Sequence, residues 1–173
     1  ELFRRGDRSV LVTSYRLDDD SRLLDAVRTY LRQEQQPLEK LGIFICDAGL
    51  FQNGAHGEKR TPEEKKSFKR AYEKMYCLYA SLTGTTVLQF KGVTPRHLSS
   101  DKYWKSYDKT GADPEVPGMY SGWCTLEQGL GQLVVTHLAK MEQQVAATGR
   151  ELPELLARAK ANRPKMVDLS GGQ

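Results

Sequence analysis

Apolar positions recur along this chain in two rhythms. "SVLVTSY" (9–15) is a compact run rich in β-branched residues and reads as a buried strand. In "LDDDSRLLDAVRTYLRQ" (17–33) the Asp cluster can cap a helix, and Leu23, Leu24, Val27 and Leu31 fall on one helical stripe. "LGIFICDAG" (41–49) reads as a second buried strand ending near Asp47. A polar, glycine-bearing loop follows over 50–60. From Thr61 the helix punctuation is strong: Thr61 caps, Pro62 takes the first helical position, and Glu64 completes a capping box. Phe68, Tyr72, Met75, Tyr79 and Leu82 make its inner face, and Gly84 fits just past its C-terminus. "TTVLQF" (85–90) is a third strand.

The stretch 91–119 mixes Pro, Gly and charge and predicts a long irregular loop, a length that in compact domains often carries function. A helix then runs from Trp123 to about Thr148. Projected at about 100° per residue, Leu126, Leu130, Leu133, Val134, Met141 and Val145 form one apolar stripe. Glu127 lies inside that stripe, with Trp123 one turn before it. A short helix from about Pro153 and a last strand in "KMVDLS" (165–170) complete the order β-α-β-α-β-loop-α-α-β. Strands alternating with helices argue for an α/β domain, a small parallel sheet flanked by helices on both faces. Ligands of such sheets bind beyond the carboxyl ends of the strands. Those ends carry Tyr15, Arg16, Asp47 and the loop after Phe90. Glu127 opens the helix after that loop, so Arg16, Asp47 and Glu127 converge on one edge.

Length and composition fit one domain over 1–173, with 39% hydrophobic and 28% charged residues arguing against disorder. No apolar run approaches the roughly 18–20 residues that span a bilayer, so no membrane partner is expected. The start has no secretory pattern. Its first residue is Glu, and the chain is read as a piece of a longer one. The net charge of +4 is too small to argue for nucleic acid, and the basic run Lys59, Arg60, Lys65, Lys66, Lys69 and Arg70 reads most simply as a solvated helix face. The three cysteines form no CxxC pair and read as reduced thiols in a cytoplasmic setting. His56, His97 and His137 are far apart in sequence, and no metal site is expected. Cys124 reads as a small buried hydrophobe rather than a nucleophile.

Three motifs in order carry a resemblance. "VLVTSYR" ends the first strand in Ser-Tyr, "IFICDAGLFQNG" runs from the second strand into a loop reaching Gly54, and "YSGWCTLEQ" opens the late helix with Trp-Cys-x-x-Glu. Over roughly residues 8–148 the chain resembles the TIR (Toll/interleukin-1 receptor and resistance-protein) superfamily. "RTPEEKKSFKRAYEKMYCLY" is similar to a divergent, heterokaryon-incompatibility-like branch. The resemblance implies a flavodoxin-like fold and, in many members, cleavage of NAD+ without a metal. It implies Glu127 as the catalytic carboxylate against the nicotinamide ribose and Trp123 flanking the ligand. Tyr15 and Arg16 would lie near phosphate or ribose, and Asp47, Leu50 and Phe51 would cover the nicotinamide side. The partners it implies are NAD+ or a related nucleotide, and other TIR-like domains or further copies of the chain. Other members are adaptors without catalysis that assemble by homotypic contact, and an inactive interaction module is the alternative expectation. The chain departs from the pattern in the length of 91–119, in Gly122 before the Trp, in Gly129 and Gly131 within the helix, and in a weak last strand.

The chemistry that these residue types allow agrees with that implication. Breaking the nicotinamide–ribose bond builds positive charge on the sugar, which a carboxylate stabilises as in glycosidases. Arg16 can pair bidentately with phosphate, and Trp123 or Phe51 can stack on a flat ring. Each residue has a plainer role open to it. Glu127 suits the first turn of a helix by its charge, Trp123 suits a core, Asp47 caps a turn, and Arg16 pairs with Asp18 to Asp20.

Overall fold

The computed structural model of the chain describes residues 2–15, 22–34, 37–45, 50, 58–92, 106–107, 109 and 120–170. Four strands are present: β1 (Val10–Tyr15), β2 (Gly42–Phe44), β3 (Thr85–Phe90) and β4 (Met166–Asp168). Among the described residues five α-helices accompany them: α1 (Arg22–Gln33), α2 (Pro62–Lys74), α3 (Tyr76–Ala80), α4 (Gly122–Ala147) and α5 (Glu154–Asn162). All four strands pair in parallel in the order β2-β1-β3-β4, so the domain has the expected flavodoxin-like α/β architecture.

That order dictates where the helices lie. The chain steps one way from β1 to β2, then back past β1 to β3 and on to β4. Right-handed crossovers put the first connection on one face and the later ones on the other. The packing agrees. On one face Leu23 and Val27 of α1 meet Phe90, with Tyr15 and Leu169 at the margin. On the other, Val12 and Val87 meet Met75 and Tyr79, with Trp123, Leu130 and Met166 against them. The alternation of side chains along a strand sorts the residues, so Val10, Val12 and Ser14 share the α4 face with Thr85, Val87 and Gln89.

β1 and β3 are the central strands, and every residue of β3 is buried. Leu11, Val12, Val87 and Leu88 are fully buried, each worth about 1.5–3 kcal/mol of transfer free energy. β2 corrects the sequence reading of a buried strand. It pairs only with β1, and Ile43 on this sheet edge is 43% exposed.

The helices show similar shifts. The Thr61 capping box is present, with Thr61 Oγ1 accepting from the Glu64 amide and Glu64 Oε2 accepting from the Thr61 amide at 2.8 Å. The expected single inner face is divided, because the helix breaks at Met75 between α2 and α3. Met75 and Tyr79 are buried, while Tyr72 and Leu82 are exposed. The helix stops at Ala80, earlier than Gly84 suggests, and the Gly84 amide donates to Ser81 Oγ. In α4 the buried residues are Cys124, Glu127, Gly131 and Val134; Leu126 and Leu133 face outward. The face that meets the sheet therefore keeps Leu130 and Val134 of the expected stripe but replaces Leu126 and Leu133 with Cys124, Glu127 and Gly131. Gly131 explains part of this, since a Cβ there would stand 2.8 Å from Met166 Sδ. Gly129 has no neighbour within 4 Å of a Cβ, so packing does not require it.

Candidate functional site

The reversal of strand order falls between β1 and β3, where open α/β sheets leave a crevice at the strand carboxyl ends. Ser14 and Gln89 are register partners there, one residue before each strand ends, on the α4 face. Two buried polar side chains thus stand side by side at one point of the sheet, on the face that carries Val12 and Val87. Ser14 Oγ donates to Glu127 Oε2 at 2.6 Å. Ser14 Oγ also lies 2.6 Å from the Tyr107 hydroxyl, which accepts from Gln89 Nε2 at 3.2 Å.

The donor count gives this chain a direction. Ser14 has one hydroxyl hydrogen, and it goes to Glu127. Tyr107 must then donate to Ser14, leaving its own oxygen for Gln89. Gln89, Tyr107, Ser14 and Glu127 form a relay with every hydrogen pointing toward the carboxylate. Bonds aligned this way polarise one another.

Local structure holds each member. Ser121 caps α4 by accepting from the Cys124 amide at 3.3 Å, which leaves Glu127, in the second turn, free of any capping duty. Ser106 forms a bridge to Tyr120 and accepts from the Ser121 amide at 2.9 Å, so Tyr107 is fixed to the start of α4. Cys124 Sγ reaches the Tyr15 carbonyl at 3.2 Å, and the fully buried Tyr79 donates to the Thr13 carbonyl at 2.9 Å. These contacts tie the N-terminal half of α4 and α3 to the end of β1.

Glu127 is 2% exposed. Burial raises its pKa to about 7, with the Ser14 hydroxyl and the polar hydrogens of Tyr79 and Trp123 pulling it back down. Near neutral pH the carboxyl group therefore takes up or releases a proton readily. Burial also pushes the Tyr107 phenol upward, so it stays protonated and a donor.

The other residues singled out in sequence fall in different places. Tyr15 ends β1 with its ring in the cluster of Leu23, Val27 and Phe90, on the sheet face opposite Glu127. Leu50 is buried in the main core with Val12, Met75, Tyr79 and Val87. Trp123 is partly buried and stacks on Tyr72 with ring centroids 5.5 Å apart. Arg16, Asp47 and Phe51 lie outside the described residues. Cys124 is a buried thiol, as its sequence context suggests.

Sequence reasoning missed Ser14, Gln89 and Tyr107 as site residues. The first two carry a legible signal, a polar residue at an inward position of each central strand. Tyr107 carries none, since it comes from an irregular stretch. Among the described residues no group of three His, Cys, Asp or Glu side chains could hold a metal ion, and no helix is long and apolar enough to cross a membrane. Comparison of the chain with family models, with curated proteins and with solved structures returns no match.

Proposed function

We propose that this domain is a TIR-like NAD+ glycohydrolase in which Glu127 is the catalytic carboxylate. The observation that carries this reading is the position of Glu127 at the carboxyl ends of β1 and β3, where the strand order reverses, bonded to Ser14 and released from any role in capping. A carboxylate on a buried helix face costs stability unless something at that site uses it. In the reaction, nicotinamide leaves with the electron pair of the glycosidic bond, and water adds to the anomeric carbon. Glu127 stabilises the developing sugar cation and takes the proton of the incoming water. Its pKa of about 7 suits a group that alternates between the two forms. NAD+ is the substrate, no metal takes part, and Trp123 stands one helical turn away as a stacking surface. The setting proposed is cytoplasmic.

A second reading is supported by a different face. Phe68, Tyr72 and Trp123 stack in series at 5.9 and 5.5 Å, with the Arg60 guanidinium 3.8 Å from the Phe68 ring centre. Tyr72 and Tyr76 are about half exposed, and Leu126 and Leu133 point outward nearby in α4. Such a ladder suits an interaction module that assembles with TIR-like partners or with copies of itself. Under this reading the relay to Glu127 only fixes the fold.

Nicotinamide release from NAD+, measured at high protein concentration for wild type, Glu127→Gln and Glu127→Ala, separates the two. Release that vanishes in both variants while they stay folded supports the enzyme. No release from a folded wild type, even when clustered on beads, rejects it in favour of the module.

A further inference from the structure

A cavity of about 710 Å³ lies where α4 and α5 meet β4, within the range of small-molecule sites. Its walls are largely apolar, with Val135 and Leu138 from α4, Leu152 and Leu156 from the α5 side, and Met166 from β4. The charged groups divide into two kinds. Lys91 pairs with Asp168 at 3.1 Å, and Lys160 with Glu142 at 2.7 Å, so these four cancel. Among the described residues Arg8 and Lys165 have no carboxylate in ion-pair contact, and both are 3% exposed. Glu142 acts on Arg8 from α4 through its charge, but its carboxylate is bonded to Lys160.

The donors that remain can be counted. The two terminal nitrogens of Arg8 donate to the carbonyls of Arg163 and Leu82. Its Nε–H is buried and has no acceptor. Lys165 Nζ uses two of its three hydrogens on Thr85, at 2.9 Å to Oγ1 and 3.3 Å to the carbonyl. Two of the five N–H hydrogens of Arg8 are used in this way, so three remain, that of Nε among them, and one remains on Lys165. Arg8 is also held at φ 57°, a left-handed conformation that residues with side chains seldom adopt. The backbone thus keeps Arg8 inward, beside a second buried cation that repels it. Among the described residues only the charge of Glu142, itself bonded to Lys160, offsets this pair.

We propose that the cavity binds an aliphatic carboxylate, with its headgroup at Arg8 and Lys165 and its hydrocarbon along Val135, Leu138, Leu156 and Met166. A carboxylate on a hydrocarbon body suits a site that gathers its donors at one end and is apolar over the rest. The apolar walls require a body beyond the headgroup, which excludes a bare inorganic anion. The headgroup end lies at the amino ends of β1 and β4, at Arg8 and Lys165, while the cavity runs on to Gln89 and Asp168; Glu127 does not line it, and the proposal does not depend on the nucleotide reading of that residue.

Titration calorimetry of the whole chain with decanoate, decanol and inorganic phosphate tests it. Decanoate is expected to bind one to one, with decanol at least tenfold weaker and phosphate silent. Lys165→Met should weaken decanoate at least tenfold and leave decanol unchanged. Leu138→Trp, which fills the cavity, should abolish decanoate binding while Glu127→Gln leaves it intact. Equal binding of decanoate and decanol, binding of phosphate as tight as decanoate, or no binding of decanoate to the wild type overturns the proposal. The ligand comparison on the wild type stands even if a variant fails to fold.

Discussion

Ser14 donates its hydroxyl to Glu127 at 2.6 Å, joining the end of the first strand to the second turn of a helix 113 residues later. The bond explains how a carboxylate persists on the buried side of α4. The helix presents Cys124, Gly131 and Val134 to the sheet, so the backbone comes close enough for a short serine to reach the acid. A leucine stripe at the same interface would hold the helix away. The burial also makes the protonation of Glu127 part of the folding equilibrium.

Stability should therefore depend on pH in an unusual way. Glu127 is raised from 4.5 to about 7, so the folded state holds a proton that the unfolded chain has lost between those values. Its contribution is full below pH 4.5 and is lost as pH rises to 7, by roughly 3 kcal/mol at most. Lys165 is lowered by burial from 10.5 to about 7, with Arg8 adding to the fall. The unfolded chain then binds the extra proton, so stability climbs from pH 7 toward 10. The two opposite limbs predict a minimum near neutrality. Urea unfolding between pH 4 and 10 checks this: Glu127→Gln should flatten the acid limb and Lys165→Met the alkaline one. A stability maximum at pH 7 in the wild type would contradict both assignments.

Much of this arrangement is legible in the sequence, and the rest is hidden for identifiable reasons. The strands and the order of elements follow from the β-branched runs at 10–15 and 85–90 and from caps such as Thr61, because those signals are local. Glu127 stands out because a charge on an apolar stripe breaks a local rule. The true inward face of α4 does not follow from periodicity, since the tight approach at Gly131 selects small residues over Leu126 and Leu133. The edge character of β2 depends on strand order, which no short window contains. Tyr107 reaches Ser14 from 93 residues away, out of a stretch without any period. The buried cations Arg8 and Lys165 are nearly as far from legible, being separated by most of the chain.

The buried ion pair between Arg163 and Glu34 is expected to be the most damaging single contact to break. Arg163 Nε donates to Glu34 Oε2 at 3.0 Å, and Nη2 donates to the same oxygen. The arginine side chain is 3% exposed, and the pair ties the end of α1 to the turn before β4. Burial alone would raise the pKa of Glu34, but Arg163 and the Tyr30 hydroxyl outweigh it and hold the carboxyl below its usual value. Glu34→Ala leaves a buried guanidinium without its counter-charge and should cost about 3–5 kcal/mol. Glu34→Gln, which keeps an acceptor, should cost less. Thermal unfolding at pH 7 orders the three proteins; equal melting temperatures would show the pair to be idle.

Gly129 offers a change in the other direction. It sits within α4, exposed, with no atom within 4 Å of a Cβ. Gly129→Ala should stabilise by up to about 1 kcal/mol through helix propensity, raising the melting temperature by about 2–4 °C for a chain of this size. The same change at Gly131 gains less, because its Cβ would push on Met166 Sδ at 2.8 Å. Comparing the two alanine variants by calorimetry checks the assignment, which fails if Gly131→Ala stabilises as much as Gly129→Ala.

Tyr107 is the point at which structure and activity separate. Its hydroxyl stands 2.6 Å from Ser14 Oγ, and the residue is 3% exposed. Tyr107→Phe keeps the ring but removes the donor to Ser14 and the acceptor of Gln89. Leaving those groups unpaired should cost about 1–3 kcal/mol of stability. Without Tyr107 donating to it, the Ser14 hydroxyl is a weaker donor to Glu127, so the pKa of Glu127 should rise further. Under the enzymatic reading Glu127 works as the carboxylate, so its higher pKa should displace the pH profile of nicotinamide release to higher values and lower release at acid-to-neutral pH relative to wild type. Under the adaptor reading only the stability falls and no release follows at any pH. Measuring urea unfolding and NAD+ turnover on the same preparation decides the matter. Unchanged stability would show that the relay through Tyr107 does not hold the end of the sheet.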